Sequence, residues 1–526
     1  MYKYLLLACL FCLTITTKAQ VWIPDNGDGT YKNPIIYADY SDPDVIRVGN
    51  DYYMVASSFN CQPGIPVLHS KDLVNWTIIN HVYARLPLQR YQKMQAGQGS
   101  WAPSIRYHNG LFYVYFCTPE DGLFMASTAN PAKTWTLTLV QSIANWEDPC
   151  PFWDTDGQAY LLHGRVGAGP AILHKMTADG KKLLDNGKII FQDSKKQPVL
   201  EGFKFMEKRD GYYYFMAPAG GVSKGWQSVF RSRNIYGPYE DKIVLRQGNT
   251  DVNGPHQGGL VETQTHEWWF IHFQDKGPYG RILNLQPAVW KNGWPVIGED
   301  KDDTGAGQPV LTYKMPDVGK KYPVAVPQTS DNFSSAALGL QWQWQAAPQN
   351  NWYSLTEHPG FMRLKAICNP TDSGSFIYAT NVLLQKFTAP AFTATTKMIF
   401  HPSAVGDRAG LTVSGISTIF LCLEKQTSGN NLVIYQSKKE GRISMPKPLL
   451  TIPVNTNTIW LRVNVADKAL CQYAYSTDGT NYTNVGDVYQ AEKGTWIGAK
   501  TGLVCLNPGL VPSKGYADFD FFKVTP

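Results

Sequence analysis

The sequence predicts an all-β protein, a five-bladed β-propeller followed by a β-sandwich. Three observations carry this expectation: an aromatic- and turn-rich composition, a motif recurring five times in roughly the first 300 residues, and short alternating strands over about the last 190. Aromatic residues make up 13% of the 526 and charged residues only 17%, with 46 Gly and 34 Pro. That mix suits hairpin turns and packed sheet faces. It lacks both the high charge of disorder and the Ala/Glu/Lys/Leu richness of a helical repeat. A formal net charge of +6 with no long Lys/Arg run argues against nucleic acid as a partner.

Residues 1–19 read as a signal peptide: Lys3, an apolar run from Tyr4 to Ile15, and Thr17-Lys18-Ala19 before Gln20. The run falls short of the ~20 apolar residues a membrane span requires, and no later segment fills that gap. An exported protein without a membrane span is expected, periplasmic or secreted. Beyond the leader lie Cys61, Cys117, Cys150, Cys368, Cys422, Cys471 and Cys505. They are odd in number and contain no CxxC pair, so neither a zinc site nor a dense disulfide framework is indicated.

Residues 20–325 hold the repeat. Each copy runs from a short residue, through Pro or Gly and an apolar stretch, to a turn and an aromatic run. The copies begin at Asp42-Pro43, Ala102-Pro103, Asp148-Pro149, Glu201-Gly202 and Gln257-Gly258, and the aromatic anchors are Tyr53, Tyr113, Tyr160, Tyr213 and Trp269. The anchor follows the Pro or Gly by 10 or 11 residues every time. Asn109-Gly110, Asp156-Gly157 and Asp210-Gly211 supply the positive φ of hairpin turns, so each unit is strand, tight turn, strand. Copies lie 46 to 60 residues apart, close to one four-stranded propeller blade.

The residue before the Pro or Gly is Asp42, Ala102, Asp148, Glu201 or Gln257. Innermost strands of a propeller line one axis, so equivalent positions are expected to converge. Packing gives no reason to gather three carboxyls, because each disfavours ionisation of the others. Such clusters serve acid–base chemistry or cation binding.

With these stretches the sequence resembles glycoside hydrolase family 43. The matching segments are Ser41-Asp42-Pro43-Asp44-Val45, Trp101-Ala102-Pro103-Ser104, Glu147-Asp148-Pro149, Leu200-Glu201-Gly202, Gly280-Arg281-Ile282-Leu283 and Asn292-Gly293-Trp294-Pro295. The resemblance implies an inverting glycosidase with Asp42 as general base, Glu201 as general acid and Asp148 as the carboxylate that tunes and orients the acid. Glu201 must then hold a proton near neutrality, which a neighbouring Asp148 charge would favour. The resemblance further implies a substrate-binding Arg281 and a hydrated calcium ion at the propeller centre with His256 as its histidine. A histidine hydrogen-bonded in the cavity is the alternative for His256, which is also a candidate substrate contact. No cofactor is required. Trp101 is a candidate sugar-stacking residue with a core role as its alternative, and Phe59 and Trp226 are further subsite candidates. His266-Glu267 with His272 does not have the HExxH spacing of a zinc helix.

Residues 316–333 read as a linker rich in Pro, and residues 326–526 as a β-sandwich with strands at Leu340–Trp344, Ile459–Val463 and Ala517–Phe521. This part resembles the concanavalin-like domain of many family members, which can lend a loop to the active-site rim; the segment Leu506 to Gly515 is the candidate here. The expected activity is exo-acting, first an α-L-arabinofuranosidase trimming hemicellulose side chains, with β-D-xylosidase as the alternative. A non-catalytic glycan-binding propeller is the reading from another class. In every case the partner is an oligosaccharide or polysaccharide.

Overall fold

The computed structural model describes residues 21–368, 379–438, 446–509 and 513–526, so the signal-peptide reading of residues 1–19 lies outside the described residues. Each recurring motif becomes a four-stranded antiparallel sheet. The innermost strands are Asp44–Val48, Trp101–His108, Trp146–Trp153, Lys204–Arg209 and His256–Glu262. Each packs against the innermost strand of the next blade, and the fifth meets the first, which closes the ring. Asn109-Gly110, Asp210-Gly211 and Asn292-Gly293 take positive φ at both residues, the geometry of two-residue turns matched to strand twist.

An N-terminal strand, Thr30–Lys32, pairs with Thr312–Lys314 beyond the last blade. Tyr31 and Asn33 both donate to the Leu285 carbonyl of the fifth blade at 2.8 Å. The start and end of the propeller are thus fastened together without a disulfide. All seven cysteines of the described residues are free, and all but Cys368 are buried.

The C-terminal half folds into an eight-stranded and a seven-stranded sheet that enclose one apolar core, with Met362, Phe400, Leu421, Leu461 and Phe519 among its buried side chains. The expected strand at Leu340–Trp344 shortens to Gln343–Trp344. Trp344 pairs with Leu383 on one edge, and its backbone also exchanges hydrogen bonds with Gln62 of the first blade, at 2.6 and 2.9 Å. Among the described residues no helix is long and apolar enough to cross a membrane.

The sandwich grips the propeller at the first and fifth blades and at the segment that leads into the first. The Gly498 N–H donates to Asp39 Oδ2 at 3.0 Å, Ala499 N–H to the Pro278 carbonyl at 2.7 Å, and Lys493 pairs with Asp275 at 2.8 Å. Tyr279 Oη donates to Pro390 and accepts from Ala469 N–H. These contacts fix the segment around residues 492–499 against the mouth of the ring.

Candidate active site

The repeated phase has a backbone signature. Asp42, Ala102, Asp148 and Gln257 all hold positive φ, at 55, 28, 56 and 31°. In the fourth blade the positive φ, 67°, falls on Gly202. The sequence reading placed Glu201 in register with Asp42 and Asp148; by backbone conformation its counterparts are the residues one step earlier, Trp101, Glu147 and His256. The cause is that glycine takes the left-handed backbone without strain, so Gly202 fills the position Asp occupies elsewhere. Two adjacent rings of side chains result, one with Asp42 and Asp148, the other with Glu147, Glu201 and His256.

Both oxygens of Asp42 are held. Arg281 Nη1 donates to Oδ1 at 2.9 Å, and Ser57 Oγ donates to Oδ2 at 2.6 Å. Ser57 Oγ in turn accepts the Ala102 N–H at 2.7 Å, which links the first two blades behind the carboxylate. Asp42 is only 4% exposed. Arg281, expected as a substrate contact, therefore has the carboxylate itself as a partner, and its guanidinium also lies over Phe273, 4.8 Å from the ring centroid.

Glu201 sits against His256, Oε1 to Nε2 at 2.7 Å. Burial alone would raise its pKa; the His256 hydrogen bond, the His256 charge and Arg281 outweigh burial, and the carboxyl lies below the usual glutamate value. The expected upward tuning is therefore not found at Glu201 in the free protein. It appears on its neighbours. Burial and the charge of Glu201 push Asp148 up to about 7, against the Gly202 N–H and Lys204. Burial, Asp148 and Glu201 push Glu147 up to about 10, so it is neutral at pH 7. Asp148 Oδ2 accepts the Gly202 N–H at 2.6 Å and so anchors the residue next to Glu201. Carboxyls this interdependent titrate as a unit.

His256 is 0% exposed, so it offers substrate no surface, and its second nitrogen, Nδ1, has no hydrogen-bond partner among the described residues. Calcium prefers six to eight oxygens. With Nε2 on Glu201 and no group of three or more His, Cys, Asp or Glu side chains converging among the described residues, Nδ1 is the one histidine atom left for an ion here, and water would have to supply the rest of its shell.

Aromatic walls come from both halves of the chain. Trp101 donates its indole N–H to the Gly97 carbonyl at 2.8 Å and has Phe59 edge-on at 6.2 Å between centroids, which puts Phe59, 3% exposed, behind it. On its other side stands Trp496, edge-on at 6.1 Å. Trp496 belongs to the sandwich, holds φ of 65°, is 50% exposed, and lies 5.9 Å from the Arg281 guanidinium. The rim segment from the second half is therefore the one around Trp496. The sequence candidate, Leu506 to Gly515, falls partly at residues 510–512, outside the described residues. Trp226 donates its indole N–H to Gln197 at 3.1 Å.

Comparison with known proteins gives two family matches: Glycosyl hydrolases family 43 over residues 31–295, and the beta xylosidase C-terminal concanavalin A-like domain over residues 330–525. A Xylanibacter ruminicola protein, provisionally named a beta-xylosidase, is 45% identical over 92% of this chain and 87% of its own. A beta-xylosidase of Formosa agariphila is 33% identical over 95% and 90%. A non-reducing end alpha-L-arabinofuranosidase of Bacteroides ovatus is 32% identical over 73% of each. Among solved structures, a family 43 protein of Bacillus licheniformis superposes with a TM-score of 0.84 at 27% identity, over 94% of this chain and 99% of that one.

Proposed function

The chain belongs to glycosyl hydrolases family 43, and on that premise we propose that it is an exported, exo-acting, inverting pentosidase of plant hemicellulose. Asp42 is the general base, Glu201 the general acid, and Asp148 the carboxyl that shares the proton with Glu201. The observation that carries this reading is the contrast between two carboxyls on non-adjacent blades, Asp42 buried and Glu201 half-buried. Asp42 is fixed by Arg281 and Ser57, whereas Glu201 is paired with His256 and its charge raises the pKa of Asp148 and Glu147. An inverting enzyme needs that division, with roughly 6.5–9.5 Å between the carboxyls for a water molecule.

A terminal sugar lies between the two. Asp42 takes a proton from water as the water attacks the anomeric carbon, and Glu201 protonates the departing glycosidic oxygen. The sugar also displaces water from Glu201, which penalises its charged form and draws the shared proton from Asp148 toward it. Arg281, fixed by Asp42, presents its remaining N–H groups to sugar hydroxyls. Trp101 and Trp496 flank the opening and stack on sugar faces, which limits entry to a chain end.

The sugar itself is a xylopyranosyl residue first and an arabinofuranosyl residue second. Sequence reading alone favoured arabinofuranoside; the beta-xylosidase names of the relatives at 45% and 33% identity support the reverse order, and the arabinofuranosidase at 32% supports retaining the second. The test is a panel of p-nitrophenyl β-D-xyloside, p-nitrophenyl α-L-arabinofuranoside and linear xylo-oligosaccharides. Release of single pentoses with xyloside preferred is the expected result. Binding without hydrolysis of any of them would instead mark a glycan-binding propeller.

A further inference from the structure

Beyond the acids, the propeller axis holds a second set of charges that the chemistry above does not use, with Asp44 and Lys204 buried and Arg106 partly so. Asp44 of the first blade accepts the Ile105 N–H at 2.9 Å and the Arg106 guanidinium at 2.6 Å, both from the second blade. Arg106 also donates to Cys150 Sγ of the third blade at 3.0 Å. At the fifth blade Gly259 leaves no room for a side chain, since a Cβ there would meet the Val45 nitrogen at 2.6 Å. The fourth blade contributes Lys204, which is 0% exposed. Its ammonium donates to the Ala102 carbonyl at 3.1 Å, to the Pro103 carbonyl, and to Ser104 Oγ at 3.3 Å.

A lysine ammonium has three donors, and all three acceptors here come from one short segment on the opposite side of the axis. That segment carries Ala102, whose N–H is tied through Ser57 to Asp42. Lys204 itself stands three residues beyond Glu201 on the same strand entry. One side chain thus spans from the strand of the proposed acid to the scaffold of the proposed base. A buried ammonium is costly unless neighbouring charge and hydrogen bonds compensate it. Its field here comes from Asp44, Asp148, Cys150 and Asp42, with burial working against it and lowering its pKa.

We propose that Lys204 is the resident cation of the propeller axis. It is a positioning residue whose ammonium locks the Glu201 strand to the second blade and offsets the buried carboxylates, so that no divalent metal ion is required there.

The test has two arms on the full-length exported chain. In the first, wild-type protein is dialysed against EDTA and then given about 5 mM CaCl2. Melting temperature and kcat/KM are expected to stay unchanged, and elemental analysis of the purified protein to find no stoichiometric calcium. A loss on EDTA restored by calcium, or one tightly held calcium per chain, overturns the proposal. In the second arm, Lys204→Met and Lys204→Gln are compared in folded form. Both are expected to lose at least roughly tenfold in kcat/KM. The acid limb of the pH profile is expected to move up by about one unit, because carboxylates that lose a nearby cation hold protons to higher pH. A folded Lys204→Met with an unaltered pH profile shows a mere packing role and overturns it. This second arm rests on the assignment of Asp42 and Glu201, whereas the first does not. An active Asp42→Ala or Glu201→Ala variant would therefore remove the assignment and leave the metal question standing.

Discussion

Replacing His256 by Phe isolates the contact that sets the proton on the proposed acid. The ring shape is kept, while the 2.7 Å hydrogen bond to Glu201 Oε1 and any imidazolium charge are removed. A hydrogen bond to a charged group is worth about 1.5–3 kcal/mol, and one pKa unit corresponds to about 1.4 kcal/mol, so the Glu201 carboxyl should rise by about one to two units. Burial, which already pulls that carboxyl upward, then acts unopposed except by Arg281. Because the acid must be protonated, the basic limb of kcat/KM against pH moves up by the same one to two units. The plateau falls about tenfold as the carboxyl loses its orienting partner. His256→Gln, which restores an amide donor without charge, should fall between wild type and Phe. Stability supplies an independent check. Glu201 is lowered in the folded state, so its pairing stabilises the fold above the ordinary glutamate value of 4.5, and that stabilisation is lost as pH falls below it. The melting-temperature gap between wild type and His256→Phe should therefore narrow at acid pH. Steady-state rates with an aryl xyloside whose leaving group needs protonation, measured across about pH 4–10, decide the matter. A basic limb that stays put or moves down would refute the reasoning.

Asp42→Ala and Glu201→Ala should each lower turnover on an unactivated glycoside by about a thousandfold, with unchanged circular dichroism, since general acid and base catalysis each contribute about 10²–10⁴. Asp148→Asn keeps an acceptor for the Gly202 N–H but removes a charge that holds the proton on the cluster. Its basic limb should therefore move down by about one unit. Trp496→Ala should raise KM for xylobiose several-fold while changing kcat little, because the side chain walls the opening without touching a carboxyl. Equal losses in both constants would contradict that role. Residues 20–325 expressed alone should be poorly soluble and inactive, because that piece loses the contacts of Asp39, Pro278 and Tyr279 with the sandwich and exposes the apolar Tyr279 face.

The five blades were legible because one motif recurs with its turn residues and aromatic anchors in phase, and strand, turn and anchor are all local properties of the chain. Asp42, Asp148 and Glu201 were legible as a group for the same reason. The one-residue offset of Glu201 was not. A glycine after a carboxylate reads like a proline after one, and only φ reveals that Gly202 occupies the Asp position. His256 was picked out by its neighbour in the chain, yet its partner Glu201 lies on another blade, and sequence carries no record of which blade faces which ring nitrogen. The downward shift of Glu201 follows from that unseen contact. Trp496 lies far along the chain in a segment without a motif of its own. Its place at the rim comes from how Lys493 and Ala499 dock on the fifth blade and Gly498 on Asp39, just ahead of the first. Lys204 looks like any strand-edge lysine until closure of the ring buries it.

The central claim is single-displacement chemistry between a base on the first blade and an acid on the fourth. Proton NMR of xylobiose or p-nitrophenyl β-D-xyloside hydrolysis, recorded before mutarotation, reads it directly. The account predicts that α-xylose appears first, with the configuration inverted. β-Xylose as the first-formed product would mean a covalent intermediate on one of these carboxyls and would contradict it.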